Sequence, residues 1–423
     1  MEAYAQVLLY AIPGFFGLIF IEVAFGWFKG KQTFNSMDTI SSLSSGITNT
    51  LKSILGLTVI IISYSWLVDK IALVDIKATT LVYVLSFFAI DFASYWNHRL
   101  NHAINVFWNR HIIHHSSEEF NLACALRQEI SEIWGIGALF LLPAALLGLP
   151  GEVIAVIGPI HLFMQFWYHT RHIPKLGFLE YLIVTPSQHR VHHAINDIYI
   201  DKNLGAIFPY WDFMFGTFQE ELDEVPCVYG VKKAPNTWNP IKINFQHLWQ
   251  LIKDAWHAEK WIDKLKIWWM PTGWRPDDVK TKYPIQVITD PYAYEKYAPK
   301  YGTEEKIWAW FQFIFANAFV LHMLFEFANI GFPNMFYYGG FIFMHIYAYS
   351  SFMDKENYSW IFEIVKSIVG FTILYLIGNW FVGNQILAYA MMAYLVISPI
   401  ITFYLSSHQT EVQISLKGTQ PNI

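Results

Sequence analysis

The side chains best suited to chemistry are eight clustered histidines. His98, His102, His111, His114 and His115 lie in HRLNHAINVFWNRHIIHH, and His189, His192 and His193 follow in TPSQHRVHH. A helix repeats every 3.6 residues, so His98 and His102 share one face, as do His111, His114 and His115, and the last cluster repeats that spacing. Packed as plain structure, eight imidazoles would need a donor or acceptor for every ring nitrogen. A metal pair satisfies them together and fixes their tautomers. A structural zinc closes with four ligands and a catalytic zinc uses three, so this supply exceeds one ion and implies two. Imidazole suits iron, which activates dioxygen where zinc, lacking redox chemistry, does not. The scattered His161, His247, His257, His322, His345 and His408 read as ordinary structural residues.

The elements that must position these rings are largely apolar. Of 423 residues, 54% are hydrophobic, 18% aromatic and only 14% charged, with a mean hydropathy of +0.30. These values predict an all-α polytopic membrane protein, with transmembrane helices and a cytosolic, histidine-rich helical metal domain. The net charge of -5 gives no sign of nucleic-acid binding. Cys124 and Cys227 form no CxxC pair, so neither a disulfide framework nor an iron–sulfur site is expected.

Apolar runs at about Tyr4–Phe28, Leu43–Val68 and Ala78–Trp96 are expected to cross the bilayer, the third leading straight into His98. Two shorter runs, Ile133–Leu149 and Val153–Trp167, joined by Leu149-Pro150-Gly151, suggest a hairpin that returns the chain to its starting side. The stretch from Thr170 to Lys306 is polar. Within it Thr185-Pro186 predicts a helix start carrying the second histidine cluster, and Phe245–Trp269 predicts an interfacial helix or tryptophans packed on the histidine domain. Four more spans are expected near Ile307–Ile330, Phe336–Phe352, Ile361–Trp380 and Gln385–Leu405, where Glu326, His322 and His345 draw notice as ionisable groups. The division is thus N-terminal membrane helices over 1–97, a histidine-rich catalytic region over 98–306 with the hairpin at about 131–168, and a four-helix membrane region over 307–423. About nine spans result, with the histidine face on the cytoplasmic side.

Metals placed just outside the lipid would meet a lipid tail from below and water and reductant from above. That arrangement suits oxidation of an unactivated C–H bond by dioxygen. The electrons must come from outside, since the chain has no GxGxxG context, cysteine cluster or haem-attachment motif; a reduced pterin or a separate redox protein is implied. The rival of another class, a membrane metal-handling protein, would need polar ligands near the bilayer midplane, whereas these clusters fall at helix ends.

HRLNH, HIIHH and QHRVHH resemble the three histidine boxes of the fatty acid hydroxylase and sterol desaturase superfamily, integral-membrane non-haem di-iron enzymes. HHSSEEFNLACALRQ (114–128), QFWYHT (165–170), TPSQHRVHH (185–193), DKNLG (201–205) and WDFMFGTF (211–218) narrow the resemblance to the alkylglycerol monooxygenases. The resemblance implies that the eight clustered histidines and His169 hold two iron ions, with His172 added by spacing. It also implies tetrahydrobiopterin as reductant and cleavage of ether lipids. Asp201, Asn203, Asp212, Glu118 and Asn121 then become candidates to accept ring N–H bonds, although Asp201-Lys202-Asn203 also reads as a plain turn. Ala103 stands where that family carries a glutamate. Sterol, fatty acyl and amino-acid-containing lipids remain alternative substrates, because the same oxidant would turn them into stable alcohols.

Overall fold

In the computed structural model, which describes residues 2–408 and 418–422, the first apolar run forms one long helix, α1 (Glu2–Phe28). Few of its side chains are covered by protein. The next helix, α2 (Ser36–Ile54), starts where the Asn35 side chain accepts from the amides of Met37 and Asp38. The expected second span over Leu43–Val68 is not one helix. α2 stops at Ile54, Gly56 turns with φ +64°, β1 (Val59–Ile60) follows, and α3 (Tyr64–Ile71) begins after its Ser63 cap. The reason lies in the hydroxyl face of α2. Ser41, Ser42, Ser44, Ser45 and Thr48 are all buried. Ser44 and Thr48 bond back to Ile40 O and Ser45 O, and Ser45 reaches Gln128 O. Protein rather than lipid surrounds this helix, which satisfies polar groups that a hydrocarbon would leave bare.

α4 (Thr80–Ala103) carries the third apolar run directly into His98 and His102, and the short α5 (Asn105–Trp108) and α6 (Ile112–His115) follow. β2 (Trp134–Gly135) pairs in parallel with β1. The hairpin arms around Leu149-Pro150-Gly151 end in α7 (Leu142–Leu146) and α8 (Gly151–Phe163), of 5 and 13 residues. Neither is long enough to cross a hydrocarbon core of roughly 30 Å.

The polar stretch holds α9 (Pro186–His192), α10 (Tyr210–Phe215), α11 (Pro240–His257), α12 (Trp261–Lys266) and α13 (Asp277–Lys282). The helix expected over Phe245–Trp269 is therefore two, broken between His257 and Trp261, with Trp249, Trp256, Trp261 and Trp269 exposed. β3 (Ile285–Ile288) pairs antiparallel with β4 (Thr419–Asn422). The last third forms α14 (Thr303–Phe325), the short α15 (Phe327–Ile330), α16 (Asn334–Met353), α17 (Ser359–Ile377) and α18 (Gln385–Ser407).

Four helices among the described residues are long and apolar enough to cross a membrane: Tyr4–Phe28 of α1, and α14, α17 and α18. The protein is an integral membrane protein, but the count falls short of the nine expected. The second span is broken, the hairpin arms are short, and α4 and α16 mix polar side chains into their apolar runs.

α1, α2, α14, α16, α17 and α18 share one apolar core, packed closely enough that a Cβ on Gly370 would lie 2.6 Å from Leu395. Inside it Lys366 pairs with Glu363 at 2.5 Å and donates to Tyr394 and Ser398. His345 is held by Gln312 O and Tyr394, His322 by Tyr338, and Glu326 by Asn329. Each of these ionisable groups has a partner, so none needs a ligand to account for it.

One buried ion pair ties this core to the histidine region. Arg127 reaches Asp38 of α2 at 2.6 Å, Ser42 at 2.9 Å and Ser116 at 2.7 Å, with both charged residues 1% exposed. Removing one partner strands the other charge in the interior, so Asp38→Ala is expected to destabilise the fold by about 3–5 kcal/mol. Thermal unfolding in detergent measures this, and an unchanged midpoint would contradict the role given to the pair.

Candidate metal centre

Three local structures aim the rings. α4 presents His98 and His102 one turn apart, and α6 with its preceding residue presents His111, His114 and His115. α9 is fixed by a reciprocal cap: the Thr185 hydroxyl accepts from the Gln188 amide and the Gln188 side chain accepts from the Thr185 amide, with Pro186 in the first turn. His169 joins from the segment after α8. Together they make two groups in which the ligand atoms lie within 4.8 Å of one another: His98, His102, His111, His115 and His192 in one, and His114, His169, His189 and His193 in the other. The groups adjoin, since the rings of His115 and His193 stack at 4.3 Å.

Burial decides the protonation state. It pushes His98 and His114 down to about 3 and His111, His115, His169, His189, His192 and His193 well below the usual imidazole range, with neighbouring rings adding to the effect. These eight rings are therefore neutral at pH 7, the form in which imidazole offers a lone pair. The outward nitrogens fix the tautomer. Nδ1 of His98 donates to Leu204 O at 2.9 Å, His114 to Arg127 O at 3.3 Å, His169 to Gln165 O at 3.1 Å and His192 to Lys202 O at 2.9 Å.

With the proton on Nδ1, each of these four rings turns a bare Nε2 inward. His114 Nε2 and His169 Nε2 face each other at 3.4 Å, lone pair to lone pair, so no hydrogen bond joins them. His192 Nε2 is buried with no hydrogen-bond partner among the described residues. A cation between such nitrogens removes the repulsion and satisfies the orphan, so the donor set suits metal.

The expected supporting residues fall in different places. The Asp201 carboxylate accepts from His102 Nδ1 at 3.0 Å, and Asp201 and Asn203 also form a turn with φ of 56° and 51°. Asn203 binds Gln188 O, Gln219 O and the Gln219 amide rather than a ring. Asp212 acts one step back. It accepts from the Leu204 and Gly205 amides and the Thr217 hydroxyl, holding the carbonyl on which His98 rests. A side chain at Gly205 would meet Asp212 Oδ2 at 2.7 Å. Glu118 holds Tyr294 and the Tyr297 amide, and Asn121 spans Thr33 O and the Ala123 amide; neither touches a histidine ring among the described residues. His172 lies in neither group, its ring edge-on to Phe25 at 5.1 Å.

The backbone carbonyls that fix the tautomers left no mark in the sequence, because every residue carries one. Asp91 likewise carries no spacing signal in the sequence. It accepts from His161, the Ile207 and Phe208 amides and the Trp211 indole, bracing α4 against the segment that follows the Leu204 carbonyl.

A family model for fatty acid hydroxylase matches residues 83–217, which include all nine grouped histidines. Alkylglycerol monooxygenase of Homo sapiens is 36% identical over 268 residues, covering 63% of this chain and 59% of that protein. Its Danio rerio counterpart is 37% identical over 271 residues with the same two shares. Alkylglycerol monooxygenase of Xenopus tropicalis is 32% identical over 310 residues, 73% of this chain and 69% of that protein. The chain belongs to the alkylglycerol monooxygenase family. It spans 59% of the length of the human and zebrafish members. No solved structure matches the chain.

Removing an inward-facing ring should cost metal, whereas removing a ring outside the groups should not. His169→Ala is expected to lower bound metal at least about tenfold at limiting supply, and His172→Ala to leave it unchanged. Elemental analysis of the purified variants decides this, and equal losses would overturn the grouping.

Proposed function

We propose that this protein is a non-haem di-iron monooxygenase that inserts oxygen into a lipid C–H bond, with an O-alkyl glycerol as substrate. The observation that carries this reading is an apolar cavity of about 680 Å³. Membrane helices α1 and α14, with the shorter apolar α8, line it through residues such as Leu8, Phe15, Phe163 and Val320, and it ends on His98, His111, His114, His169 and His189. A lipid tail lying there would be shielded from water and held against the bare nitrogens. Phe15, packed on Phe166 at 4.8 Å and Phe163 at 5.7 Å, gives the wall its shape. Asn49, Gln128 and Glu129 share the lining and supply partners for the hydroxyls of a glycerol headgroup.

Iron held by the two histidine groups would supply dioxygen activation. The chain's own part is to hold the rings neutral and oriented, to seat the tail and to exclude water. Hydroxylation of the carbon beside the ether oxygen consumes one O2, two electrons and two protons and releases one water; the hemiacetal then collapses to a fatty aldehyde and glycerol. Tetrahydrobiopterin would bring the electrons, as in the alkylglycerol monooxygenases that the motifs flanking the histidine boxes resemble. We place the histidine face on the cytoplasmic side. Lys29 and Lys31 close α1, and Thr33 just beyond them is bound by Asn121 and Arg171, beside the histidine loops.

Two iron ions per chain are expected in the active protein, by metal analysis. Incubation with ferrous iron, dioxygen, tetrahydrobiopterin and a panel of ether lipids, sterols and acyl lipids should release fatty aldehyde from the alkylglycerol, identified by mass spectrometry. His114→Ala and His192→Ala should abolish turnover, while His408→Ala, exposed at the end of α18, keeps it within about threefold. Hydroxylated sterol or acyl lipid in place of aldehyde would overturn the substrate, and no oxygenated product from any lipid would overturn the reading.

A further inference from the structure

A second cavity, of about 270 Å³, reaches the metal centre through different rings. It touches His102, His115 and His192, whereas the apolar cavity touches His98, His111, His114, His169 and His189; no ring of the centre lines both. Its walls come from α11, the chain around Gly230–Lys233, the loop Thr272–Arg275 and β3, not from the membrane helices.

The chemistry of those walls is specific. Arg275 is 3% exposed; its Nε and Nη2 bind Asp254 and Tyr283 O, while its buried Nη1 has no partner among the described residues. Lys233 donates to Gln250 at 2.8 Å, and burial, with Lys253 nearby, pulls it down to about 8. Asp201, already on His102, lines the same space. The indole of Trp108 lies 5.1 Å from the His102 ring and 5.5 Å from His115. Cationic donors, carboxylate acceptors and an aromatic face thus converge on a space reaching the histidines.

Size narrows the ligand. Pockets for drug-sized molecules run from roughly 300 to 1,000 Å³, so this one takes about two fused rings and excludes a lipid or a dinucleotide. We propose that this cavity docks the electron donor, a small planar heterocycle whose acceptor oxygens face Arg275 and Lys233 and whose N–H groups face the carboxylates. The donor comes from water and the lipid from the bilayer, and neither displaces the other. The purpose of the site rests on the monooxygenase reading; binding does not. With donor DH2 the balance is R–H + O2 + DH2 → R–OH + H2O + D, in which the donor loses two electrons and two protons.

The test is equilibrium binding of tetrahydrobiopterin to the iron-loaded protein without oxygen, followed by tryptophan fluorescence, beside binding of an alkylglycerol. Lys233→Met removes a cationic donor, and Gln246→Trp, on the α11 face of the cavity, fills it. Each should weaken tetrahydrobiopterin binding about tenfold or more while iron content and alkylglycerol binding hold. Leu8→Trp, in the apolar cavity, should do the reverse and leave tetrahydrobiopterin binding within about twofold. Unchanged binding in both Lys233→Met and Gln246→Trp overturns the assignment. So does equal weakening by Leu8→Trp, or no saturable binding to the wild type. Donor binding with this pattern but no oxygenated lipid supports the cavity and sinks the monooxygenase reading; lipid oxygenated by a redox protein alone, with no tetrahydrobiopterin bound, does the opposite.

Discussion

Nine imidazoles with lone pairs crowded together, six of them on buried residues and three on half-buried ones, are the constraint on which the rest of this structure depends. Burial keeps eight of them uncharged, and neutral rings at these separations repel unless a proton or a cation lies between them. The fold meets the first requirement by fixing the outer nitrogens. Leu204, Arg127, Gln165 and Lys202 offer carbonyls and Asp201 a carboxylate, so that Nε2 is left free to face the centre.

Those anchors must themselves be held, and a layer of buried carboxylates holds them. Asp212 grips the backbone at Leu204 and Gly205, Asp91 grips it at Ile207 and Phe208, and Asp38 grips Arg127. Asp38 sits on α2, which packs into the apolar core of the membrane helices, and Asp91 sits on α4, which packs on α8. This explains why two helices with apolar stretches carry buried acids: the acids hold the loops that anchor the metal region. The same position between two media gives the centre one apolar approach and one polar approach, through separate rings.

Much of the site was legible because histidine spacing and helix geometry are both periodic. The pairs on α4, the cluster on α9 and its Thr185-Pro186 start could be read from side-chain identity alone. His169 came only through resemblance, since nothing in QFWYHT marks it by spacing. Other features were not legible for physical reasons. A backbone carbonyl has no residue type, so the anchors of the rings were invisible. Glu118, Asn121 and Asn203 are polar residues close to the histidines in sequence, yet they hold loops, because proximity along the chain does not set the direction of a side chain. α2 misled in the other direction: its apolar residues suggested a span, whereas its serines are covered by protein. The intramembrane pair Glu363 and Lys366 passed unremarked, while His322 and His345, which drew notice, are held by neighbours.

The central claim is that these nitrogens converge on metal, and X-ray absorption on the iron-loaded protein tests it most directly. The account predicts a nearest-atom shell dominated by nitrogen at roughly 2.0–2.2 Å, with the outer scattering of several imidazole rings on each iron, lost in His102→Ala and His189→Ala. A shell made mainly of oxygen, or one unchanged in both variants, would contradict it.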